Sequence, residues 1–180
     1  MPKRPTVISS RIAFRGKACS IAVDELAEPG REKPRRREVV LHGPSAVILA
    51  FNDAEEVLMV RQYRHAARRF LWELPAGGVE PHETPAACAR RELREETGYR
   101  ARRWLRLARY FPAPGLLEEQ MHVYWARELL PGLAQPEEDE QIEVRFFPAR
   151  ELAEQIRHGR IADGKTLSAW AAWLSVTGKG

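Results

Sequence analysis

Three glutamates lie close together near the middle of this chain, just before a glycine that is expected to end a helix. Glu92, Glu95 and Glu96 belong to the stretch GGVEPHETPAACARRELREETGY, residues 77–99. At about 100° per residue, their side chains share an arc of roughly 100° on the helix surface. Like charges at these spacings repel, and the C-terminal end of a helix already carries negative partial charge. The pattern therefore predicts a cation close to this arc.

Two kinds of cation fit this position. A hard divalent ion such as Mg²⁺ binds a few carboxylate oxygens and keeps waters and substrate phosphates as its other ligands. Alternatively, Arg90, Arg91 and Arg94 neutralise an ordinary surface helix, since arginine and glutamate often occur together on helix surfaces. The three glutamates alone do not decide between a metal site and a salt-bridged surface.

The helix that presents these carboxylates has clear boundary residues. Thr84 suits the N-cap, Pro85 suits the first turn, and Gly98 suits the left-handed position after the last turn. Leu93 belongs to an apolar stripe beside the acids, which is expected to pack on a sheet. Cys88 is interpreted as a small buried residue rather than a catalytic thiol.

Apolar segments on both sides of this helix predict strands. They lie in two parts of residues 7–27, in EVVLHG, SAVILAF and EVLMVRQY, and at 103–110, 121–127 and 143–148. FLWELPAGGV predicts a further strand that runs into a Pro/Gly loop. The segments PARELAEQIRHG and ADGKTLSAWAAWLSV predict two closing helices. The order of elements indicates an α+β fold in which helices cover a mixed sheet.

Length and composition are those of a globular protein with one sizeable core. The chain has 180 residues, of which 44% are hydrophobic and 30% are charged. It contains no apolar run long enough for a membrane span and no signal-peptide pattern. Cys19 and Cys88 are too few for a disulfide framework. We therefore expect a cytoplasmic protein with no membrane partner.

The chain carries a formal net charge of +4, and several arginines cluster in residues 30–40. The simpler interpretation of that cluster is a solvated loop before a strand. Arginine also matches the geometry of phosphate oxygens, so phosphate-rich small ligands or RNA remain alternatives. A nucleic-acid partner is the less favoured of these.

The spacing around the glutamates resembles the signature of the Nudix hydrolases. That signature is a glycine, five residues, a glutamate, seven residues and then R-E-U-x-E-E-x-G-U, where U is a bulky apolar residue. Here Gly77 is followed at these spacings by Glu83 and by the run Arg91–Tyr99. Every fixed position matches. Tyr99 is the one departure, because it is aromatic where an aliphatic residue is usual.

The resemblance implies a loop–helix–loop motif in an α/β/α sandwich with a mixed central sheet. It implies hydrolysis of a nucleoside diphosphate linked to another moiety, with Mg²⁺ or Mn²⁺ as cofactor. The implied metal ligands are the side chains of Glu92, Glu95 and Glu96 and the carbonyl oxygen of Ala76, and Glu96 also counts as catalytic. By the same resemblance, Glu83 and Arg91 brace the loop against the helix.

The flanking segments resemble one branch of the family, the ADP-ribose pyrophosphatases and other nucleoside diphosphate sugar hydrolases. The likeness runs from about residue 39 to residue 148. Arg61 and Arg64 are predicted to bind the pyrophosphate, because guanidinium groups match phosphate oxygens. Glu73 is predicted to accept hydrogen bonds from an adenine amino group. The other predicted substrate-binding residues match positions after the signature in this branch and are Pro114, Gly115 and Glu119. Trp72 or Trp104 offers a stacking face, although core packing is the simpler interpretation of either.

The acidic stretch PEEDEQIEV resembles a family loop that carries the general base. Glu140 is the first choice for this role and Glu138 the second, with a solvated acidic turn as the alternative. The predicted reaction converts ADP-ribose to AMP and ribose 5-phosphate. Hydrolysis of another nucleoside diphosphate sugar such as GDP-mannose is an alternative. A non-catalytic protein of this fold that binds ADP-ribose or RNA is the alternative from a different class.

The branch that this chain resembles forms homodimers in which N-terminal strands are exchanged. The resemblance therefore implies a homodimer, with residues 1–42 as N-terminal strands and a basic loop that exchange between protomers. Residues 43–180 are predicted to form the hydrolase domain. The sequence by itself does not show dimerisation.

Overall fold

The structure is a computed structural model that describes residues 3–134 and 142–178. A short 3₁₀ turn occupies His65–Ala67. The remaining elements in chain order are β1 Thr6–Arg15, β2 Ser20–Ala27, β3 Arg35–Leu41, β4 Ser45–Ala50, β5 Glu56–Arg64, β6 Arg69–Glu73, β7 Ala76–Gly78, α1 Pro85–Thr97, β8 Arg100–Tyr110, β9 Met121–Leu130, β10 Glu143–Pro148, α2 Ala149–Arg157 and α3 Gly164–Thr177.

The chain divides into two compact units. The first comprises Met1–Gly43 and Phe111–Gln120, and the second comprises Pro44–Tyr110 and Met121–Gly180. The sequence does not predict that the 111–120 segment belongs with the N-terminal strands. Its backbone pairs with β3, because the N–H of Val40 donates to the carbonyl oxygen of Leu116 at 2.8 Å.

The first unit is built on an antiparallel sheet with the order β1-β2-β3. Every residue of β1 is exposed, although the strand carries large apolar side chains. Val7, Ile8 and Phe14 are each more than half exposed. β1 is therefore an uncovered edge strand with an apolar surface, which proteins usually protect.

The second unit contains two sheets, with the orders β7-β4-β9-β8 and β10-β5-β6. β4 runs parallel to β9, whereas the other paired strands in this unit are antiparallel. All six residues of β4 are buried. A strand buried along its whole length must be covered on both faces, because successive side chains point to opposite sides.

Helices cover the two faces of β4. On one face Ile48 packs in a cluster with Ala89 and Leu93 of α1. On the other face Leu49 packs in a cluster with residues of α2 and α3, among them Trp173. The second unit is therefore an α/β/α sandwich, and the predicted α+β fold with a mixed sheet is confirmed.

The predicted boundaries of α1 are confirmed. The Thr84 side chain accepts a hydrogen bond from the N–H of Ala87, and Gly98 adopts φ 76° in the left-handed region. β7 is the element that the sequence does not predict, since two of its three residues are glycines, which strands disfavour. Pairing with β4 nevertheless holds β7 extended, with Ala76 opposite Val47. In the described part of the chain, no helix has the length and apolar character needed to span a bilayer.

Candidate active site

The acidic side of α1 lies against the backbone of β7. The N–H of Ala76 donates to the carboxylate of Glu96 at 3.2 Å, and Glu96 is only 6% exposed. A Cβ atom placed on Gly77 would lie 2.0 Å from Oε1 of Glu92. Glycine at this position therefore makes room for the Glu92 carboxylate beside β7.

Arg91 joins the loop before α1 to the acidic residues of the helix. Its guanidinium contacts Glu83 at 3.0 Å, Glu92 at 2.6 Å and Glu95 at 3.1 Å, and it donates to the carbonyl oxygen of Gly78 at 3.0 Å. The hydrogen bond from Arg91 lowers the pKa of Glu83. The arginine thus offsets part of the repulsion among the glutamates and ties the loop to the helix.

The described residues contain no three acidic, histidine or cysteine side chains arranged as a metal-binding group. Glu92 and Glu95 instead contact Arg91, and Glu95 also accepts from Arg94 at 2.8 Å. The residues nevertheless suit a divalent ion, because several carboxylates lie together on one turn of α1. The space beside Gly77 that the Glu92 carboxylate occupies, and that a Cβ atom would fill, is the glycine cradle of β7. A metal ion bound here would therefore compete with the arginines for the same carboxylate oxygens.

A second charged cluster surrounds Glu73 at the end of β6. Glu73 is 1% exposed, and Arg64 donates to both of its oxygens, with the shortest contact at 2.8 Å. Lys165 of α3 pairs with the same carboxylate. Burial alone would raise the pKa of Glu73, but the hydrogen bonds and charges of Arg64 and Lys165 outweigh it, so the pKa is lowered.

Arg64 connects this cluster to the acidic side of α1. Burial alone would lower the pKa of Arg64, but Glu73 raises it, with smaller contributions from the charges of Glu96 and Asp163. The structure therefore brings Arg64 and Glu73 into contact and places Arg64 within electrostatic reach of Glu96, one of the predicted metal ligands.

The N-terminal end of α3 supplies residues that the sequence does not single out. Asp163 caps the helix by accepting from the N–H of Thr166 at 3.0 Å, and it also pairs with Lys165 at 3.1 Å. The Thr166 hydroxyl oxygen accepts from the N–H of Leu74 at 3.0 Å. An aspartate N-cap can be read from the sequence, but its proximity to Glu73 depends on tertiary packing.

The other predicted substrate-binding residues have different surroundings. Arg61 pairs with Glu143 at 3.1 Å, and both side chains are exposed. Pro114 and Gly115 are exposed in the first unit, where Glu119 is buried and lies 3.4 Å from Nδ1 of His42. The predicted general bases, Glu140 and Glu138, lie outside the described residues.

Cys88 lies under the loop rather than in an open site. It is fully buried, and its thiol contacts the carbonyl oxygens of Gly77 at 3.5 Å and Gly78 at 3.3 Å. Burial, reinforced by the charge of Glu92, raises the pKa of Cys88 to about 12. A thiol that stays protonated at neutral pH is a poor nucleophile, which agrees with the interpretation of Cys88 as a packing residue.

A solved structure described as an ADP compounds hydrolase has the same fold. It matches with a TM-score of 0.84 over 100% of this chain and 99% of that chain. The identity is 20%, so this likeness establishes the fold alone.

Sequence comparison establishes the family. Residues 41–170 match the family model described as the NUDIX domain. An ADP-ribose pyrophosphatase from Bacillus subtilis (strain 168) is 33% identical over 90% of this chain and 88% of that relative. A GDP-mannose pyrophosphatase from Cronobacter sakazakii (strain ATCC BAA-894) is 32% identical over 82% of each chain. The chain belongs to the NUDIX family, whose hydrolases generally use a divalent metal ion.

Proposed function

We propose that this protein is a cytoplasmic, Mg²⁺-dependent pyrophosphohydrolase that cleaves ADP-ribose to AMP and ribose 5-phosphate. The observation that carries the proposal is the set of glutamates on α1, packed beside the glycine cradle of β7 in a chain of the NUDIX family. The likeness to the Bacillus subtilis ADP-ribose pyrophosphatase supports the choice of substrate.

The acidic side of α1 would hold the metal ions. Glu92, Glu95, Glu96 and the carbonyl oxygen of Ala76 are the proposed ligands. The ion they would hold would supply neutralisation of charge on the diphosphate and a lower pKa for the attacking water. Gly77 allows Glu92 to approach the backbone, and the Ala76 N–H fixes Glu96.

The proposed hydrolysis forms one bond to phosphorus, breaks one bond to phosphorus and moves one proton to a base. The water oxygen forms a bond to one phosphorus, and the bond from that phosphorus to the bridging oxygen breaks. Glu140 is proposed to accept the proton of the water, with Glu138 as the second candidate. The leaving phosphate keeps the bridging oxygen and the electron pair of the broken bond.

Arg64 is the proposed pyrophosphate ligand that the structure supports best. Glu73 holds its guanidinium through hydrogen bonds to both carboxylate oxygens. Because Glu73 is 1% exposed, positioning Arg64 suits it better than direct contact with an adenine amino group. Arg61, Pro114, Gly115 and Glu119 remain proposed substrate contacts.

A side-by-side assay tests the substrate. ADP-ribose, GDP-mannose and other nucleoside diphosphate sugars are incubated with the protein and Mg²⁺, and kcat/KM is compared. We expect the highest kcat/KM for ADP-ribose. A higher value for GDP-mannose would favour the alternative that the Cronobacter sakazakii relative suggests. Tight, salt-dependent RNA binding without any turnover would favour a non-catalytic protein.

Replacing Gly77 with alanine tests the cradle for Glu92. The added Cβ would lie 2.0 Å from the carboxylate, so Glu92 must move away from β7. We expect kcat/KM to fall about tenfold or more, because small displacements of catalytic groups are costly. Gly78→Ala is the matched control, since nothing lies within 4 Å of its Cβ position. Equal kcat/KM values for the two variants would contradict the proposal that Gly77 positions the Glu92 carboxylate for catalysis.

We also propose that the protein is a homodimer that pairs through its N-terminal strands. The exposed apolar side chains of the edge strand β1 support this, because such a surface is usually covered. Light scattering is expected to give twice the chain mass of 20.6 kDa. Ile8→Lys should shift the mass toward the monomer, whereas Leu133→Lys, at an 86% exposed position of the second unit, should not. A wild-type mass of 20.6 kDa would contradict the dimer.

A further inference from the structure

A groove lined by arginines runs along α1 on a flank other than its acidic side. It lies between α1 and the start of β8 and has a volume of about 410 Å³. Small-ligand sites commonly have volumes of roughly 300–1,000 Å³, so the groove is large enough for a ligand of nucleotide size. Two alanines form part of its wall, and the other described residues that line it are Arg90, Arg91, Arg94, Arg100 and Trp104.

The helix geometry separates this groove from the proposed metal ligands. The lining residues of α1 lie at positions 87, 90, 91 and 94, which is the spacing of a single helix face. At about 100° per residue, the centre of this face is roughly 140° from the centre of the arc of Glu92, Glu95 and Glu96. α1 therefore presents a basic face and an acidic face. Arg91 lies between them and reaches the acidic residues.

The positive charge in the groove is only partly neutralised by the protein. Arg94 donates to Glu95 through Nη2, but its buried Nε has no hydrogen-bond partner among the described residues. Arg90 donates to the carbonyl oxygen of Ala86 and lies over the Trp104 ring, 5.0 Å from its centroid.

Arg100 contributes a further positive charge. Its backbone pairs with Leu130 of β9, but no hydrogen bond or ion pair joins its guanidinium to the part of the chain that the structure describes. Among the described residues that line the groove, none is acidic. A concave surface with several guanidinium groups and no carboxylate from these residues is suited to an anion.

We propose that this groove binds a phosphate-bearing ligand of nucleotide size, separately from the diphosphate at the acidic side of α1. Guanidinium groups match phosphate oxygens through paired hydrogen bonds, and Arg100 and Arg90 supply them here. The alanines and Trp104 provide an apolar wall for the rest of the ligand. The proposal does not depend on the proposed hydrolysis, because it requires neither metal nor turnover.

Calorimetric titration of the metal-free protein tests the groove. The protein in EDTA and low salt is titrated with ADP and, separately, with inorganic pyrophosphate. Without metal, the carboxylates of α1 repel anions, so binding reports on basic sites. We expect saturable binding of one ligand per chain. Tighter binding of ADP would identify a nucleotide site, and equal binding would identify a site for the phosphates alone.

Substitutions locate the bound anion. We expect Arg100→Ala and Arg90→Ala each to weaken binding by tenfold or more. Arg103→Ala on the same strand should bind like wild type, because Arg103 is exposed, pairs with Glu128 and does not line this groove. Arg100→Gln, together with thermal unfolding of every variant, separates a lost ligand contact from a lost fold.

Several results would overturn the groove as a phosphate site. One is the absence of binding in the wild-type protein, and another is unchanged binding in both groove variants. Loss of binding in Arg64→Ala with wild-type binding in Arg100→Ala would place the anion beside Glu73 instead. Equal weakening by Arg103→Ala would indicate diffuse attraction to basic surface. Displacement of ADP by RNA with a steep salt dependence would favour a nucleic-acid surface.

Discussion

Glu96→Gln is expected to lower kcat by about 100-fold or more, because the amide keeps the size of the side chain and loses the charge that holds a metal ion. Glu96 is 6% exposed and accepts from the N–H of Ala76, so its position is fixed by the backbone of β7. Steady-state kinetics over a range of Mg²⁺ concentrations measure the loss. Mn²⁺ binding should also weaken. The electron paramagnetic resonance signal of free Mn²⁺ measures this binding independently of turnover.

Glu92→Gln should behave in the same way, since Glu92 is the carboxylate that lies in the Gly77 cradle. Glu154→Gln is the matched control, because that glutamate lies on α2 with its side chain 52% exposed. Its kcat should equal that of the wild type. Wild-type kcat and Mn²⁺ binding in both Glu96→Gln and Glu92→Gln would remove the case for a metal site on α1.

Lys165→Met is expected to lower the free energy of unfolding by about 3 kcal/mol, because removing one partner leaves a buried carboxylate undercompensated. Glu73 is 1% exposed and, among the described residues, would retain Arg64 as its only hydrogen-bonded cation. Denaturant unfolding at neutral pH measures the loss. Lys33→Met, at an exposed position of the first unit, should have little effect.

A double variant and a pH series separate this charge effect from simple loss of packing. Adding Glu73→Gln to Lys165→Met removes the buried charge, so part of the lost stability should return. The pKa of Glu73 is lowered below its ordinary value of 4.5, so its stabilising contribution is present above pH 4.5 and disappears as the pH falls through the lowered pKa. The difference between wild type and Lys165→Met should therefore shrink in acid. A difference that is independent of pH would indicate packing instead.

Local sequence signals predict the helix of the candidate site well. Thr84 and Gly98 mark the ends of α1 because capping depends on residues only a few positions apart. The continuous apolar run of β4 predicts a strand covered on both faces for a similar reason. Where one side chain or one short pattern determines the conformation, the sequence alone is sufficient.

Contacts between distant segments are what the sequence leaves open. The family resemblance predicts roles for Arg64 and Glu73, but nothing local in the sequence predicts that Lys165 pairs with Glu73, because α3 is about ninety residues away along the chain. β7 is missed because pairing with β4 overrides the poor strand propensity of its glycines. Of the two interpretations of the acidic arc, the structure shows the salt-bridged one, since Arg91 contacts two of the carboxylates that the signature assigns to metal, and the metal site stays a prediction.

Because the Cys88 thiol is buried, thiol-reactive labels should react at Cys19 instead. Maleimides react with thiolates, and a buried group with a pKa of about 12 offers almost none at neutral pH. Cys19 is partly accessible and directly precedes β2 in the first unit. A fluorophore would therefore attach to the N-terminal sheet alone. If the proposed homodimer forms, energy transfer between donor- and acceptor-labelled chains would follow its subunit exchange while the acidic side of α1 keeps its native side chains.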